Sequence, residues 1–225
     1  MIAWSFSLLT QYRQCPKQYQ EVRIFKNYPD LNTKERDWGN DVHKAIQNAL
    51  TLNTPLPAGM DVWTGIVEQF RQTKGKLYVE QQYAITEGFQ PCDWFDPRGK
   101  PKQVWCRSIV DALWIDGKVA KAVDWKTGKQ KPGSDQLALM AGVIFCHYPE
   151  VEEVRTMFVW LKNGGVTRDT FRRSDIPRIW QMFLTDVKRL ENAHETGTFP
   201  AKTSGLCSQW CPVVTCQFNG KRRQW

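Results

Sequence analysis

The sequence predicts an α/β or α+β fold in which helices flank a central mixed β-sheet. Three observations support this prediction. Helical patterns occupy both ends of the chain, a tight hairpin signal lies near its middle, and an apolar helical segment separates that hairpin from two later strands. With 225 residues, 41% of them hydrophobic and 24% charged, the chain can bury a core, which excludes a disordered tail.

The first part of the chain is predicted to hold three helices and a strand. Ser7 is expected to cap a short helix over residues 7–19. A clearer helix covers residues 39–50, because apolar residues recur there at spacings of three and four along one face. A third helix is expected over 61–73, and alternating polar and apolar residues predict a strand over 77–85.

The second part of the chain begins with a β-hairpin. Asp116-Gly117 lies between alternating apolar residues and predicts a tight turn joining strands at 104–115 and 118–125. The remaining predicted elements follow in order: a helix over 134–146, strands over 154–161 and 166–171, and a long amphipathic helix over 177–194.

Charge and cysteine content narrow the class of partner and the compartment. The net charge of +8 and the pI near 9.2 favour polyanionic partners. The longest apolar run, residues 137–146, is too short to span a bilayer, so no membrane partner is expected, and the N-terminus lacks a signal-peptide pattern. Seven cysteines, an odd number, favour a reducing cytoplasm in which clustered thiolates bind metal.

The hairpin carries the residues that could bind a metal and take part in a reaction. If a two-residue loop at 116–117 places residue 115 opposite residue 118, Asp111 and Asp124 become diagonal neighbours on the face that also presents Lys126. Two carboxylates so close repel each other unless a cation lies between them, and a hard divalent ion such as Mg²⁺ fits. Such an ion would bind a phosphate oxygen and a water that Lys126 could orient or deprotonate. The alternative is an exposed Asp-x-Lys ion pair without function.

Basic residues surround these two acids. Residues 98–131 contain nine lysines and arginines and only three acids, two of which are Asp111 and Asp124. Cations that hold a phosphate backbone and carboxylates that hold a metal are what phosphodiester cleavage requires. Within this stretch we expect Arg107 and Lys129 to contact the substrate.

Several short motifs follow one another in an order found in a known family. They are residues 5–16 with Cys15-Pro16, Gly39-x-x-x-His43, Val79-Glu80, Ile109-Val110-Asp111, residues 123–128 with Asp124 and Lys126, Asp135-Gln136-Leu137, and Cys207, Cys211-Pro212 and Cys216. With these motifs the chain resembles the PD-(D/E)xK nuclease superfamily, in particular its RecB-like branch of CRISPR-associated and phage exonucleases. The resemblance implies a restriction-endonuclease-like core in a single domain over 1–225, whose tail at 200–225 packs on the N-terminal helix.

The resemblance also implies roles for individual residues. Asp111 and Asp124 would bind Mg²⁺ or Mn²⁺ with His43 as a further ligand, Lys126 would be catalytic, and Gln136 would position the lysine or the substrate. Met140 stands where many members of the family have an aromatic residue.

Structural alternatives remain for three residues of this set. His43 lies at the edge of an apolar helix face and could be a packed residue, and Gln136 could contribute to a helix cap. Glu80, expected near the substrate, could simply lie on the polar face of a strand.

The cysteines form a pattern of one near the N-terminus and three near the C-terminus. In the family this pattern ligates a [4Fe–4S] cluster, here through Cys15, Cys207, Cys211 and Cys216. Their spacing departs from the common one, so a Zn²⁺ site or free thiols are alternatives. Cys92, Cys106 and Cys146 are expected to be ordinary loop or core thiols, and the basic tail 221–223 could touch nucleic acid.

The leading hypothesis is a Mg²⁺- or Mn²⁺-dependent DNA exonuclease acting at DNA ends or on single strands, in recombination, repair or phage DNA processing. One alternative is a DNA-binding subunit whose nuclease site is inactive or depends on a partner, either a recombination protein or a second copy of the chain. Another is a nucleic-acid-binding module built around a Cys₄ metal, in which the hairpin acids are dispensable.

Overall fold

The computed structural model describes residues 2–30, 34–100, 102–130 and 135–221. The predicted helix start at Ser134, Lys131 of the basic stretch and the arginines of the C-terminal tail lie outside the described residues. The chain divides into a larger unit at residues 34–182 and a smaller unit made of residues 2–33 and 183–225. In the described part of the chain, no helix combines the length and apolar character needed to cross a membrane.

The elements follow the predicted order closely. The helices are α1 Phe6–Gln14, α2 Pro16–Tyr19, α3 Lys34–Leu52, α4 Thr64–Arg71, α5 Asp135–His147 and α6 Ile176–Thr196. The strands are β1 Trp4–Ser5, β2 Lys76–Ile85, β3 Pro91–Cys92, β4 Cys106–Asp116, β5 Val119–Lys126, β6 Glu153–Trp160 and β7 Gly165–Arg172. The two-residue strands β1 and β3 were not predicted, because so short a segment carries no readable alternation.

The strands of the larger unit form one mixed sheet. Their order is β3-β2-β4-β5-β6-β7, and neighbouring strands are antiparallel except for β5 and β6. These two strands are parallel because α5 carries the chain back across the sheet between them, as a parallel connection requires. The predicted central mixed sheet flanked by helices is confirmed.

The two sides of the sheet are covered by helices of different character. The apolar face of α3, with Val42, Ile46 and Ala49, packs on Trp114 and Trp125 of the sheet in one core cluster. Helix α5 is instead buried around its whole circumference from Leu137 to Phe145, which explains why its sequence is apolar on every side. Full burial of each large apolar side chain stabilises the fold by about 1.5–3 kcal/mol.

The hairpin register differs from the predicted one by two residues. Asp116 itself pairs with Val119, so the loop consists of Gly117 and Lys118, and Gly117 takes the positive φ of +57° that the turn needs. Side chains alternate with a period of two along a strand, so a shift of two leaves every side chain on its predicted face. The predicted diagonal arrangement of Asp111 and Asp124 is therefore wrong, while the shared face survives.

In the smaller unit, the N-terminal helices contact the end of α6 and the tail. The cap of α1 is Ser5 rather than the predicted Ser7, because the Ser5 hydroxyl accepts the Leu8 amide hydrogen. Arg13 donates to Asp186 over 2.7 Å, and the Lys17 amide donates to the Pro200 carbonyl over 3.3 Å. The single-domain organisation over 1–225 stays a prediction.

Gly142 allows α5 to approach the start of α6, and it provides a test of this packing. A Cβ atom at Gly142 would lie 3.0 Å from Ile179 Cγ2 and 3.1 Å from Trp180 Cζ2. We expect Gly142→Val to lower the free energy of unfolding by about 1–3 kcal/mol, because the added methyl groups overpack this contact. The control is Gly65→Ala in α4, where a Cβ meets no atom within 4 Å and the helix should gain up to about 1 kcal/mol. Equal effects in thermal denaturation would contradict the packing described here.

Candidate active site

The candidate site lies where β4 and β5 stop pairing. Ala112 and Val123 are the last residues paired between the two strands, and the next residue on each is an aspartate, Asp111 and Asp124. The Trp125 amide donates to Asp111 Oδ2 over 2.8 Å, which fixes this carboxylate beside β5. Both acids are buried, with 8% of Asp111 and 5% of Asp124 exposed. Two buried carboxylates thus lie opposite each other in a region of low dielectric.

Helix α3 brings His43 to these acids. His43 Nε2 lies 2.9 Å from the Trp125 carbonyl oxygen, and because a carbonyl can only accept, Nε2 carries the proton. In the neutral ring this leaves the lone pair on Nδ1, which lies 3.4 Å from Asp111 Oδ2. One turn earlier, a Cβ on Gly39 would lie 3.3 Å from Thr127 Oγ1. The Gly39-x-x-x-His43 motif therefore combines a close approach of helix and strand with an imidazole aimed at the site.

Glu80 completes the cluster through an unusual backbone conformation. The pairing of Val79 with Ala112 and of Gln81 with Val110 places Glu80 opposite Asp111. Its φ of +49° is left-handed, which costs a non-glycine residue about 1–3 kcal/mol. Donor atoms of His43, Glu80 and Asp111 all lie within 4.8 Å of one another. The strained residue thus coincides with a potential metal site.

The charges of this cluster are poorly balanced without a cation. Burial raises the pKa of Asp111 well above the usual carboxyl range, the nearby Asp124 raises it further, and the Trp125 amide opposes both effects. Burial also raises the pKa of Glu80, against the lowering effect of His43 and Lys44. A bound divalent ion would remove the cost of holding these groups ionised.

Lys126 and Gln136 hold Asp124 from the other side. Lys126 Nζ lies 2.6 Å from Asp124 Oδ2, donates to Gln136 Oε1 over 3.1 Å, and lies 4.7 Å from the centre of the Phe158 ring. Gln136, in the first turn of α5, donates to Asp124 Oδ1 over 2.7 Å. Among the described residues, none donates a hydrogen bond to the buried Asp124 Oδ2, whose partner is the Lys126 ammonium. This oxygen is therefore a candidate ligand for a metal ion.

The donor set fits a divalent ion. Carboxylate oxygens suit Mg²⁺ and Mn²⁺, whereas an imidazole nitrogen suits transition metals better than Mg²⁺. Asp111 Oδ1 accepts no hydrogen bond from any described residue, so it is available as a ligand. One imidazole with at least two carboxylates therefore fits Mn²⁺ better than Mg²⁺.

The structure divides the expected site residues into two neighbouring groups. It brings His43 and Asp111 together as predicted but adds Glu80, which was expected to contact substrate. Asp124 lies next to this group and is held by Lys126 and Gln136. Only the pairing of β2 with β4 shows that Glu80 faces Asp111, and a single sequence does not reveal that pairing.

The two basic residues that were expected to contact the substrate lie outside the group formed by His43, Glu80 and Asp111. Arg107 is four residues before Asp111 on β4, and its Nε donates to the Trp94 carbonyl over 2.9 Å. Its guanidinium lies over the rings of Trp94 and Phe95, at 5.5 and 5.7 Å from their centres. Lys129 is exposed beyond the end of β5.

The four cysteines of the predicted cluster line one pocket in the smaller unit. The amides of Lys202 and Ser204 donate to the sulfurs of Cys15 and Cys207, each over 3.4 Å. Burial raises the pKa of Cys211, against the lowering effect of a hydrogen bond from the Val213 amide. Backbone N–H groups directed at sulfur are a common means of stabilising metal-bound thiolates.

The sulfurs are further apart than in a closed zinc site. In the part of the chain that the structure describes, no three of these sulfurs lie within 4.8 Å of one another. A tetrahedral zinc site with bonds of about 2.3 Å holds its sulfurs only about 3.8 Å apart. As placed here, the four sulfurs are therefore too far apart to bind one shared zinc ion without moving closer together. Cys106 is fully buried and burial raises the pKa of Cys146 to about 11, as expected of core thiols.

Comparisons with known proteins agree with this geometry. Residues 3–216 match the sequence model of the PD-(D/E)XK nuclease superfamily. No curated protein matches the chain. Among solved structures, a candidate exonuclease from Eubacterium rectale shares 11% identity over 98% of this chain and 88% of its own, with a TM-score of 0.54. A protein named SSO0001 shares 12% identity over 96% of this chain and 86% of its own, with a TM-score of 0.45.

The family match spans nearly the whole chain, including His43, Glu80, both aspartates and Lys126. The likeness to the Eubacterium rectale protein concerns the fold alone. The chain belongs to the PD-(D/E)XK nuclease superfamily.

Proposed function

We propose that the protein is a Mg²⁺- or Mn²⁺-dependent DNA exonuclease that acts at DNA ends or on single strands. The observation that carries this proposal is the convergence of His43, Glu80 and Asp111 beside a lysine that is itself paired to Asp124. A ligand set next to a cation oriented by its neighbours is suited to phosphodiester hydrolysis. The RecB-like motifs and the fold shared with a candidate exonuclease support an exonuclease over other nucleases.

Each side chain has a role in the proposed reaction. His43 Nδ1, Glu80, Asp111 and Asp124 would hold the ion, which supplies Lewis-acid polarisation of a phosphoryl oxygen. Lys126 would orient the attacking water and offset negative charge that develops at phosphorus. Gln136 would keep the Lys126 ammonium in place, since its amide bridges that ammonium and Asp124. The Trp125 backbone positions both Asp111 and His43 through its N–H and C=O groups.

A basic and aromatic surface on the larger unit supports single-stranded DNA as a substrate. Phe95 is 72% exposed and lies beside the guanidinium of Arg107. The backbone of Arg107 is four residues, about 13 Å, before Asp111 along β4 at the usual strand rise. Asp96 Oδ1 accepts the amide hydrogens of Gln103 and Val104, which closes a loop carrying several exposed basic residues. Exposed aromatic rings beside cations stack the bases of single strands and hold their phosphates.

We further propose that Cys15, Cys207, Cys211 and Cys216 hold a [4Fe–4S] cluster with a structural role. The cluster would connect the N-terminal helices to the tail, because one ligand lies at residue 15 and three lie beyond residue 206. The N–H groups directed at these sulfurs support thiolate ligands.

Removal of the lysine tests the catalytic role directly. We expect Lys126→Ala to reduce the cleavage rate by roughly 100-fold or more, because a positioned transition-state cation is lost. The fold should be retained in the Mn²⁺ assay, because Gln136 still donates to Asp124 and a bound ion would offset the charge that Lys126 no longer balances. The measurement is degradation of end-labelled single-stranded DNA with Mn²⁺, with Lys188→Ala, an exposed lysine outside the site, as control. Full activity of Lys126→Ala would contradict the assignment, and DNA binding without cleavage by the unsubstituted protein would favour a DNA-binding subunit.

Asp111→Asn separates stability from metal binding. The pKa of Asp111 is raised in the fold, so its stabilising form is the protonated one, present at low pH and lost as pH rises through that pKa. Asparagine keeps an acceptor for Trp125 N–H without the charge. At neutral pH without metal we expect stability to rise by about 1 kcal/mol, or Tm by about 2–4 °C. The stabilisation by Mn²⁺ should be lost, and a variant still stabilised by Mn²⁺ would refute Asp111 as a ligand.

Phe95→Ala tests the single-strand surface. Loss of one base-stacking ring costs about 1–3 kcal/mol, so the Kd for a single-stranded oligonucleotide should rise roughly fivefold or more. The matched control is Val62→Ala, because Val62 is an equally exposed apolar residue outside this surface. Fluorescence anisotropy with EDTA present measures binding without cleavage. Indistinguishable affinities of the two variants would exclude the role of Phe95.

Cys211→Ser tests the proposed [4Fe–4S] cluster. Anaerobically purified protein should absorb visible light and contain iron and sulfide in equal amounts, and Cys211→Ser should lose both. Cys92→Ser, which changes a thiol outside the pocket, should retain them. A colourless protein containing zinc would contradict the iron–sulfur assignment.

A further inference from the structure

A second cationic site lies on the sheet, apart from the candidate active site. A cavity of about 330 Å³ opens between the end of α4 and strands β4 to β7. Three of the residues lining it are cations, one on each of three adjacent strands: Lys121, Arg155 and Arg168. None of them is part of the candidate active site, that is, of the group His43, Glu80 and Asp111 or of the side chains that hold Asp124.

The strand pairing forces these cations together. Lys121 on β5 is the direct partner of Arg155 on β6, and Arg168 on β7 pairs with Met157, two residues further along β6. Like charges directly opposite each other on a sheet destabilise it by a few tenths of a kcal/mol or more. An arrangement of this kind is relieved when an anion binds between the cations.

Nearby acids do not neutralise the cavity. Glu153 accepts a hydrogen bond from Arg155 Nε over 2.6 Å and so offsets one of the three charges. Asp169 lines the cavity, but the alternation along β7 directs its side chain to the face opposite that of Arg168. Within the described part of the chain, neither Lys121 nor Arg168 makes an ion pair. The cavity therefore has a positive charge that a ligand can use.

The floor of the cavity is aromatic. Trp114 pairs with Lys121 across β4 and β5, and the Phe70 ring of α4 stacks on it with a centroid distance of 5.5 Å. A volume near 330 Å³ lies at the lower end of the range for small-molecule sites. We propose that this cavity binds a nucleotide, whose phosphate contacts Lys121, Arg155 and Arg168 and whose base packs against the half-buried Phe70 ring that covers Trp114.

The proposed nucleotide site is distinct from the candidate active site. Val123 and Trp125 belong to the same core cluster as Trp114, so Lys121, two and four residues before them on β5, shares their face of the sheet. Asp124 and Lys126 occupy the opposite face of that strand. Lys121 lies three residues, about 10 Å, from Asp124 along β5. The cavity is therefore close enough to the candidate active site to bind a reaction product or a nucleotide of the bound strand. The cavity would bind a nucleotide whether or not the chain cleaves DNA.

Binding measurements without divalent metal test the proposal. Isothermal titration of the full chain in EDTA would use a nucleoside 5′-monophosphate, inorganic phosphate and a short single-stranded oligonucleotide as separate probes. We expect Lys121→Ala and Arg168→Ala each to raise the Kd for the nucleotide about tenfold or more, since each removes a charge-assisted contact. Lys188→Ala should leave the Kd unchanged. Inorganic phosphate should bind at least about tenfold more weakly than the nucleotide, because it lacks the base.

The separate probes show whether the cavity binds a free nucleotide or a nucleotide within a strand, and which results refute the site. Loss of affinity for the monophosphate supports a free nucleotide, and loss only for the oligonucleotide supports a nucleotide within a strand. Equal binding of the two probes by all variants, or no binding at all, overturns the site. Equal affinity for phosphate and nucleotide overturns the nucleotide assignment. Melting temperatures show whether the variants fold, and Lys121→Ala should melt no lower than the unsubstituted protein, because a like-charge contact is removed.

Discussion

Two buried carboxylates lie opposite each other where β4 and β5 stop pairing, and the site is organised around their charge. Asp111 and Asp124 occupy the first positions beyond the pairing of β4 with β5, but both still lie within their strands, and Asp124 pairs with Phe158 on β6. Both acids are therefore fixed by the sheet rather than by flexible loops. Their burial makes an uncompensated charge costly, which is why the pKa of Asp111 is raised and why Asp124 is tied to Lys126. A divalent ion bound as proposed would remove this cost. A strained Glu80 and a histidine oriented by a backbone carbonyl are consistent with a site organised for that ion.

The two helices that flank the sheet have separate tasks at this point. Helix α3 approaches β5 closely through Gly39 and presents His43 to Asp111, so it contributes to the metal side of the site. Helix α5 places Gln136 between Lys126 and Asp124, so it controls the position of the ammonium. Because α5 is buried from Leu137 to Phe145, the core anchors the helix directly after Gln136. The proposed metal ligands and the lysine are thus positioned by different parts of the fold.

Much of the fold could be predicted from the sequence, because the periodicity of apolar residues in α3, the hairpin and α6 reflects burial directly. The residues of the site could also be found, since Asp124, Lys126 and Gly39-x-x-x-His43 form recognisable motifs. Which residues face each other on neighbouring strands could not be predicted. The turn was placed one residue too early, which shifted the pairing by two, and the position of Glu80 opposite Asp111 depends on the distant strand β2. The left-handed φ of Glu80 has no sequence signature, because glutamate is not a residue that favours it.

The most direct test of the central claim is anomalous diffraction from crystals soaked in Mn²⁺. The account predicts one strong manganese peak bounded by His43 Nδ1 and by carboxylate oxygens of Glu80, Asp111 and Asp124, with the Lys126 ammonium outside the coordination sphere. Such a peak would show that the buried acids exist to bind an ion. A crystal that binds no manganese at this position, with the Lys126 ammonium lying between the two aspartates instead, would contradict the account, because the acids would then already be neutralised by the protein itself.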